Sequence, residues 1–233
     1  MSIAANFLGG PAGRELLMKT DGTSLCYNSR PVVNTFDAIA GLEAYLPHDA
    51  ATLNSQGSKE LFFNQKAAML FGGSWDLLTV EAKARFDWGV FAAPAPRLRE
   101  TYLIFQPDAA VGMSLHTTHP LEARLFLEWL MSKQAVDLIA RNLPGFYPLN
   151  RVEASGGSDP SDMKFLNLVN KYPADIRWMY TEISTKKPSA LDSVRESLNA
   201  MVVADLSAQA AADKLQNDLA EWYLPAQTCR KGN

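Results

Sequence analysis

The chain has 233 residues, 47% of them hydrophobic and 20% charged, with a net charge of −3. That balance describes a globular chain with room for one large domain or one and a half ordinary ones, and without any Lys/Arg run nucleic acid is not an expected partner. No run of about 18 or more apolar residues is present to span a bilayer, and MSIAANFLGGPAGREL lacks a basic start followed by a long apolar region, so no export signal is expected in it.

In chain order, Gly9, Gly10 and Gly13 form a glycine-rich turn. No Lys-Ser/Thr follows and no dinucleotide spacing fits, so the expected use is close approach of the backbone to something else. In SRPVVNTFDAIAGLEAYL, Val32, Phe36, Ile39, Leu42 and Leu46 recur at three or four residues and predict a helix that ends before Pro47. SKELFFNQ predicts a short helix capped by Ser58. Three strands are expected next: Ala67–Phe71 within KAAMLFGG, buried; FDWGVFAAPAP, ended by Pro94 and Pro96; and DAAVGMSL.

From Pro120 the reading is mostly helical. Pro120 suits the first helical position and Glu122 can reach back to the cap. Ala123, Phe126, Leu127 and Leu130 form the expected buried face. KQAVDLIARN makes a second helix, stopped at Pro144-Gly145. SGGSDPSD reads as a loop, with Ser161 or Asp162 capping MKFLNLVNKY. Two long helices follow: one aligns Leu191, Val194, Leu198 and Met201, the other Ala211, Leu215, Leu219 and Trp222. Short apolar runs alternating with helices indicate an α/β fold in which helix dominates.

Catalytic signals are sparse. Gly72-Gly73-Ser74-Trp75-Asp76 opens like a nucleophile elbow, but Asp76 stands where the second glycine is needed, so Ser74 is not expected to be a nucleophile. His116 and His119 have a metal-like spacing but no cysteine or carboxylate partner nearby, and they read as connector residues; no metal is expected. The two cysteines, Cys26 and Cys229, lie far apart. Cys229 sits in the polar stretch AQTCRKGN, of the kind that is commonly mobile, so a disulfide between them is open but free thiols are the expected state.

What remains is aromatic. Trp75 follows an apolar run and a double glycine; Phe146 and Tyr147 lie in NLPGFYPLN. Each alone is more commonly a core residue. Together with glycine turns at strand ends they suggest a cleft, since ligands of open α/β sheets sit at the carboxyl ends of the strands. There an exposed aromatic ring can stack on the apolar face of a sugar.

The order of FFNQKAAMLFGGSWD, FDWGVFAAPAP, AAVGMSLHTTHPLEARLFLEWLMSKQAVDLIARNLPGFYPLN and SAQAAADKLQNDLAEWY resembles that of ABC-transporter sugar-binding proteins, the family 1 extracellular solute-binding proteins, over about Ala4 to Tyr223. The resemblance implies the C-terminal lobe of a type II periplasmic-binding-protein fold, three-layered and helix-rich, over residues 1–225, with a tail at 226–233. Family members have two lobes and an export signal. Residues 107–119 would pack on the other lobe, and this segment, left alone, would favour a homodimer or a swapped element.

The resemblance implies a non-enzymatic carbohydrate-binding component of an ABC importer, periplasmic or extracellular, with a sugar and a membrane permease as partners and no cofactor. The alternative is an interaction module of the same fold without ligand binding of its own. Trp75 takes the place of the stacking tryptophan and Gly73 that of the glycine giving access to the backbone, with Ser74 and Asp76 beside them. Phe146 and Tyr147 match a loop that approaches the ligand, and Gly10 and Arg14 a loop bordering the cleft. Ala190-Leu191-Asp192 lacks the second stacking aromatic of some relatives.

Overall fold

The computed structural model describes residues 2–97, 99–106, 110–146 and 160–229. Its elements are α1 (Ser2–Leu8), α2 (Gly10–Met18), α3 (Arg30–Ala40), α4 (Ser55–Phe63), α5 (Leu77–Lys83), β1 (Leu103–Phe105), α6 (Pro120–Leu130), α7 (Lys133–Asn142), α8 (Pro160–Lys171), β2 (Ala174–Ile176), α9 (Ala190–Ala204), α10 (Ala208–Ala220) and α11 (Leu224–Gln227). Helix takes up 57% of the described residues. The elements divide into two compact units: Met1–Leu53 with Ala92–Gln106 and Lys171–Asn233, and Asn54–Phe91 with Pro107–Asn170.

The first unit holds the main core. Val32, Val33 and Phe36 of α3 and Ala211, Ala212, Leu215 and Leu219 of α10 are buried together with Tyr27, Trp178, Met201 and Tyr223. Alanines at the α10 contact let helix backbones approach, and its leucines fill the remaining space. Ser189 starts α9 and Ser207 starts α10, each hydroxyl accepting a first-turn N–H, so one of the exposed donors at each helix start is satisfied. β1 and β2 pair in parallel, Leu103 opposite Ala174 and Phe105 opposite Ile176. The buried Asn6 side chain joins three segments: its amide donates to Ala93 O, and its oxygen accepts from Tyr102 N, both at 2.7 Å.

Of the tail expected to be mobile, the part up to Cys229 is held in place, and residues 230–233 lie outside the described residues. Cys229 is bonded to Cys26, with 4.9 Å between their Cα atoms. α11 is docked as well: Pro225 is fully buried, its carbonyl accepts from the Ser24 hydroxyl, and Gln216 binds both Tyr27 N and Ala226 O. The Ser24 and Gln216 side chains thus hold this segment by its backbone carbonyls.

The second unit contains α4 to α7 and most of α8. The expected strands are not formed at Ala67–Phe71, across 86–96, or in residues 110–115. A strand exists only through a ladder of paired backbone groups, and these apolar runs have no such neighbour among the described residues. Met69 and Phe71, expected inside, are 65% and 74% exposed. α4 begins earlier than expected, because the extended Asn54 caps it by accepting from Gly57 N, while Ser58 lies one turn inside. α3 stops at Ala40, and Glu43–Tyr45 form a separate 3-10 turn. α8 already includes Ser161 and Asp162. On α6 none of the expected face is fully buried: Ala123, Leu127 and Leu130 are half-buried and Phe126 is exposed, stacked on Trp129.

Candidate functional site

The GGSWD motif forms a tight turn in the second unit. Gly73 is extended, Ser74–Asp76 make one 3-10 turn, and Leu77 begins α5 without a break. Asp76 closes this turn on itself. Its N–H donates to Gly73 O at 3.0 Å, and its Oδ2 accepts from Gly73 N at 3.2 Å. Its other oxygen, Oδ1, lies 2.5 Å from Lys59 Nζ of α4. Both carboxylate oxygens therefore have partners within the protein, and the buried charge is matched by a cation.

A second clamp comes from the Leu143–Phe146 turn. Gly145 has φ +86, a left-handed conformation that suits glycine, and a Cβ at this position would lie 1.9 Å from the Ser74 carbonyl oxygen. Only a glycine lets the two backbones come this close. The fully buried residues of the unit, among those described, are Asp76, Leu77, Ala135, Val136 and Gly145.

Trp75 stands on this base. A Cβ added at Gly73 would lie 2.3, 2.4 and 2.6 Å from three consecutive atoms of the six-membered ring, Cη2, Cζ3 and Cε3. Near-equal distances to three neighbouring ring atoms place Gly73 over the ring face rather than at its edge. Trp75 is 52% exposed, as expected of a residue whose ring has one face covered and the other open. Gly73 therefore serves as the floor for the indole.

The other expected site residues are distributed as follows. Phe146, half-buried, follows Gly145 directly in the chain, and its N–H donates to Leu143 O at 3.1 Å. Tyr147 lies outside the described residues. Gly10 and Arg14 belong to the first unit. Gly10, at φ +66, packs against the Tyr102 ring, and Arg14 Nε donates to the buried Asp175 of β2 at 2.9 Å. Both residues fasten α2 to neighbouring structure. His119 faces Glu122 at 4.0 Å in the open, and no group of three or more metal-ligating side chains occurs among the described residues. Sequence reading missed Lys59 and Gly145. Gly145 carried a signal in its Pro-Gly pair; Lys59 carried none.

The family model described as bacterial extracellular solute-binding protein matches residues 5–137, more than half of the chain and including the whole GGSWD turn. The chain belongs to this family. A search of curated proteins finds no match. As a bacterial extracellular solute-binding protein, it falls in a family that acts by non-covalent capture of a solute outside the cytoplasm. No helix among the described residues is long and apolar enough to cross a membrane.

Proposed function

We propose that this solute-binding protein takes a carbohydrate as its solute and delivers it to the membrane permease of an ABC importer, catalysing nothing. The observation that carries the reading is the half-exposed Trp75 indole held on Gly73. One face of a pyranose presents C–H groups that pack on an indole face, while its hydroxyls need polar partners at the rim. Ser74 flanks the ring in sequence and is the polar candidate at the rim, Asp76 shapes the turn beneath with both oxygens engaged, and Phe146 is a proposed contributor from its match to the family pattern. Tyr147, Gly10 and Arg14 remain proposed contributors from their match to the family pattern. Binding that rests on one platform is weak, with a ceiling of about millimolar affinity, near 4 kcal/mol.

The test is an NMR titration that follows the tryptophan indole N–H signals. Neutral mono- and disaccharides are expected to move the Trp75 signal, and amino acids at equal concentration are expected to leave it in place. A response to amino acids with none to sugars would overturn the carbohydrate assignment.

A second reading rests on a separate observation. Val111, Met113 and Leu115 are exposed, Leu115 at 96%, and such apolar groupings favour association. In this reading the segment joins two copies of the chain. Sedimentation independent of concentration would refute it.

A further inference from the structure

We infer that Lys59 is the positioning residue of the Trp75 platform: its ammonium holds the carboxylate that closes the turn under the indole. The inference rests on the reading of Trp75 as a ligand platform, and it adds a residue that neither the sequence motif nor the family match assigns. Three contacts form a chain. Lys59 Nζ lies 2.5 Å from Asp76 Oδ1; Asp76 Oδ2 accepts from Gly73 N; and Gly73 lies under the Trp75 ring.

No regular element does this work instead. Residues 64–73, between α4 and the turn, contain neither helix nor strand, so chain connectivity leaves the angle between α4 and the indole open. A second ion pair from α4, Glu60 with Lys83 of α5 at 2.9 Å, is nearly half exposed on both sides, and a pair in water restrains little. Lys59 and Asp76 are far better shielded, with side chains 22% and 9% exposed, where a charge-assisted contact is stronger and a lost partner leaves a buried charge unmatched. Gly145 fixes the turn from the Ser74 side, and Lys59 fixes it from the Asp76 side.

Lys59→Met keeps the methylene stem and removes the charge. Asp76 then turns toward water, the Gly73 N–H loses its acceptor, and the floor under the indole loosens. The experiment records the indole N–H signals of the whole chain, with Trp75 assigned by its loss in Trp75→Phe, and uses methyl α-glucopyranoside as the probe. Lys59→Met is expected to move or broaden the Trp75 signal while those of the other tryptophans stay in place. The sugar-induced shift of Trp75 should fall by roughly threefold or more. Lys59→Arg should restore both.

An unchanged Trp75 signal in Lys59→Met would overturn the inference. If that variant unfolds, Lys59→Met with Asp76→Asn removes the orphaned charge and leaves an amide that no cation holds against Gly73 N. Displacement of Trp75 alone in the double variant supports the assignment, and a general change of all indole signals overturns it. If the sugar moves nothing in the parent protein, the platform reading fails. The position of the Trp75 signal in Lys59→Met and Lys59→Arg still decides the role of Lys59.

Discussion

Gly145 meets Ser74 backbone to backbone, so closely that a Cβ at Gly145 would stand 1.9 Å from the Ser74 carbonyl oxygen. The contact joins two turns far apart in sequence and completes the base on which Trp75 rests. Gly145→Ala combines a left-handed φ with a clash against backbone that cannot rotate away. It should cost about 2 kcal/mol or more in a urea melt. Gly112→Ala is the control: nothing lies within 4 Å of its Cβ position, and it should change stability by less than about 0.5 kcal/mol. Equal effects of the two substitutions would mean that the Gly145 contact is dispensable.

The Cys26–Cys229 bond closes a loop with a sequence separation of 203. For so long a loop, loss of chain entropy in the unfolded state predicts about 5 kcal/mol, and removal of native disulfides commonly costs about 2–5 kcal/mol. Cys26→Ser with Cys229→Ser should lower stability within that range. A thiol assay on the unfolded, unreduced protein should find no free thiol, in keeping with an extracellular family. Two reactive thiols would contradict the pairing.

Alkaline pH should destabilise the first unit. Burial raises the Tyr27 phenol well above its ordinary value of 10.0, and the Tyr223 and Glu182 side chains add to the shift. Burial, followed by the Glu182 carboxylate that accepts from its hydroxyl at 2.8 Å, raises Tyr223 as well. Above about pH 10 the unfolded chain releases these protons while the folded chain keeps them, so the unfolded state binds fewer protons and stability falls as pH rises. The slope is up to about 1.4 kcal/mol per pH unit for each phenol. Melts between about pH 9 and 12, followed with tyrosinate absorbance, should show stability level below about 10 and dropping above it. A level profile throughout would refute the claim.

Helices were legible where apolar residues recur on one face, as with Leu215 and Leu219 or with Val32 and Phe36, because that spacing acts within a few residues. The strands were not. KAAMLFGG and AAVGMSL have strand composition, yet a strand depends on a partner elsewhere, and the pairs that form, Leu103–Phe105 with Ala174–Ile176, are too short to leave a pattern. The site divides in the same way. Gly-Gly-Ser-Trp-Asp announced a turn that presents an aromatic ring. Its supports, Lys59 and Gly145, act across distant segments that no local spacing records. Ser24 and Gln216 likewise anchor a C-terminal stretch that by composition reads as loose.

The central claim is that Trp75 is a presented surface rather than a structural one, and a urea melt of Trp75→Ala tests it most directly. With half its area in water and one face on a glycine, its loss should change stability by no more than about 0.5 kcal/mol. A loss of about 3–5 kcal/mol, the range for truncating a buried aromatic, would mean that the indole holds the fold together and would contradict the platform assignment.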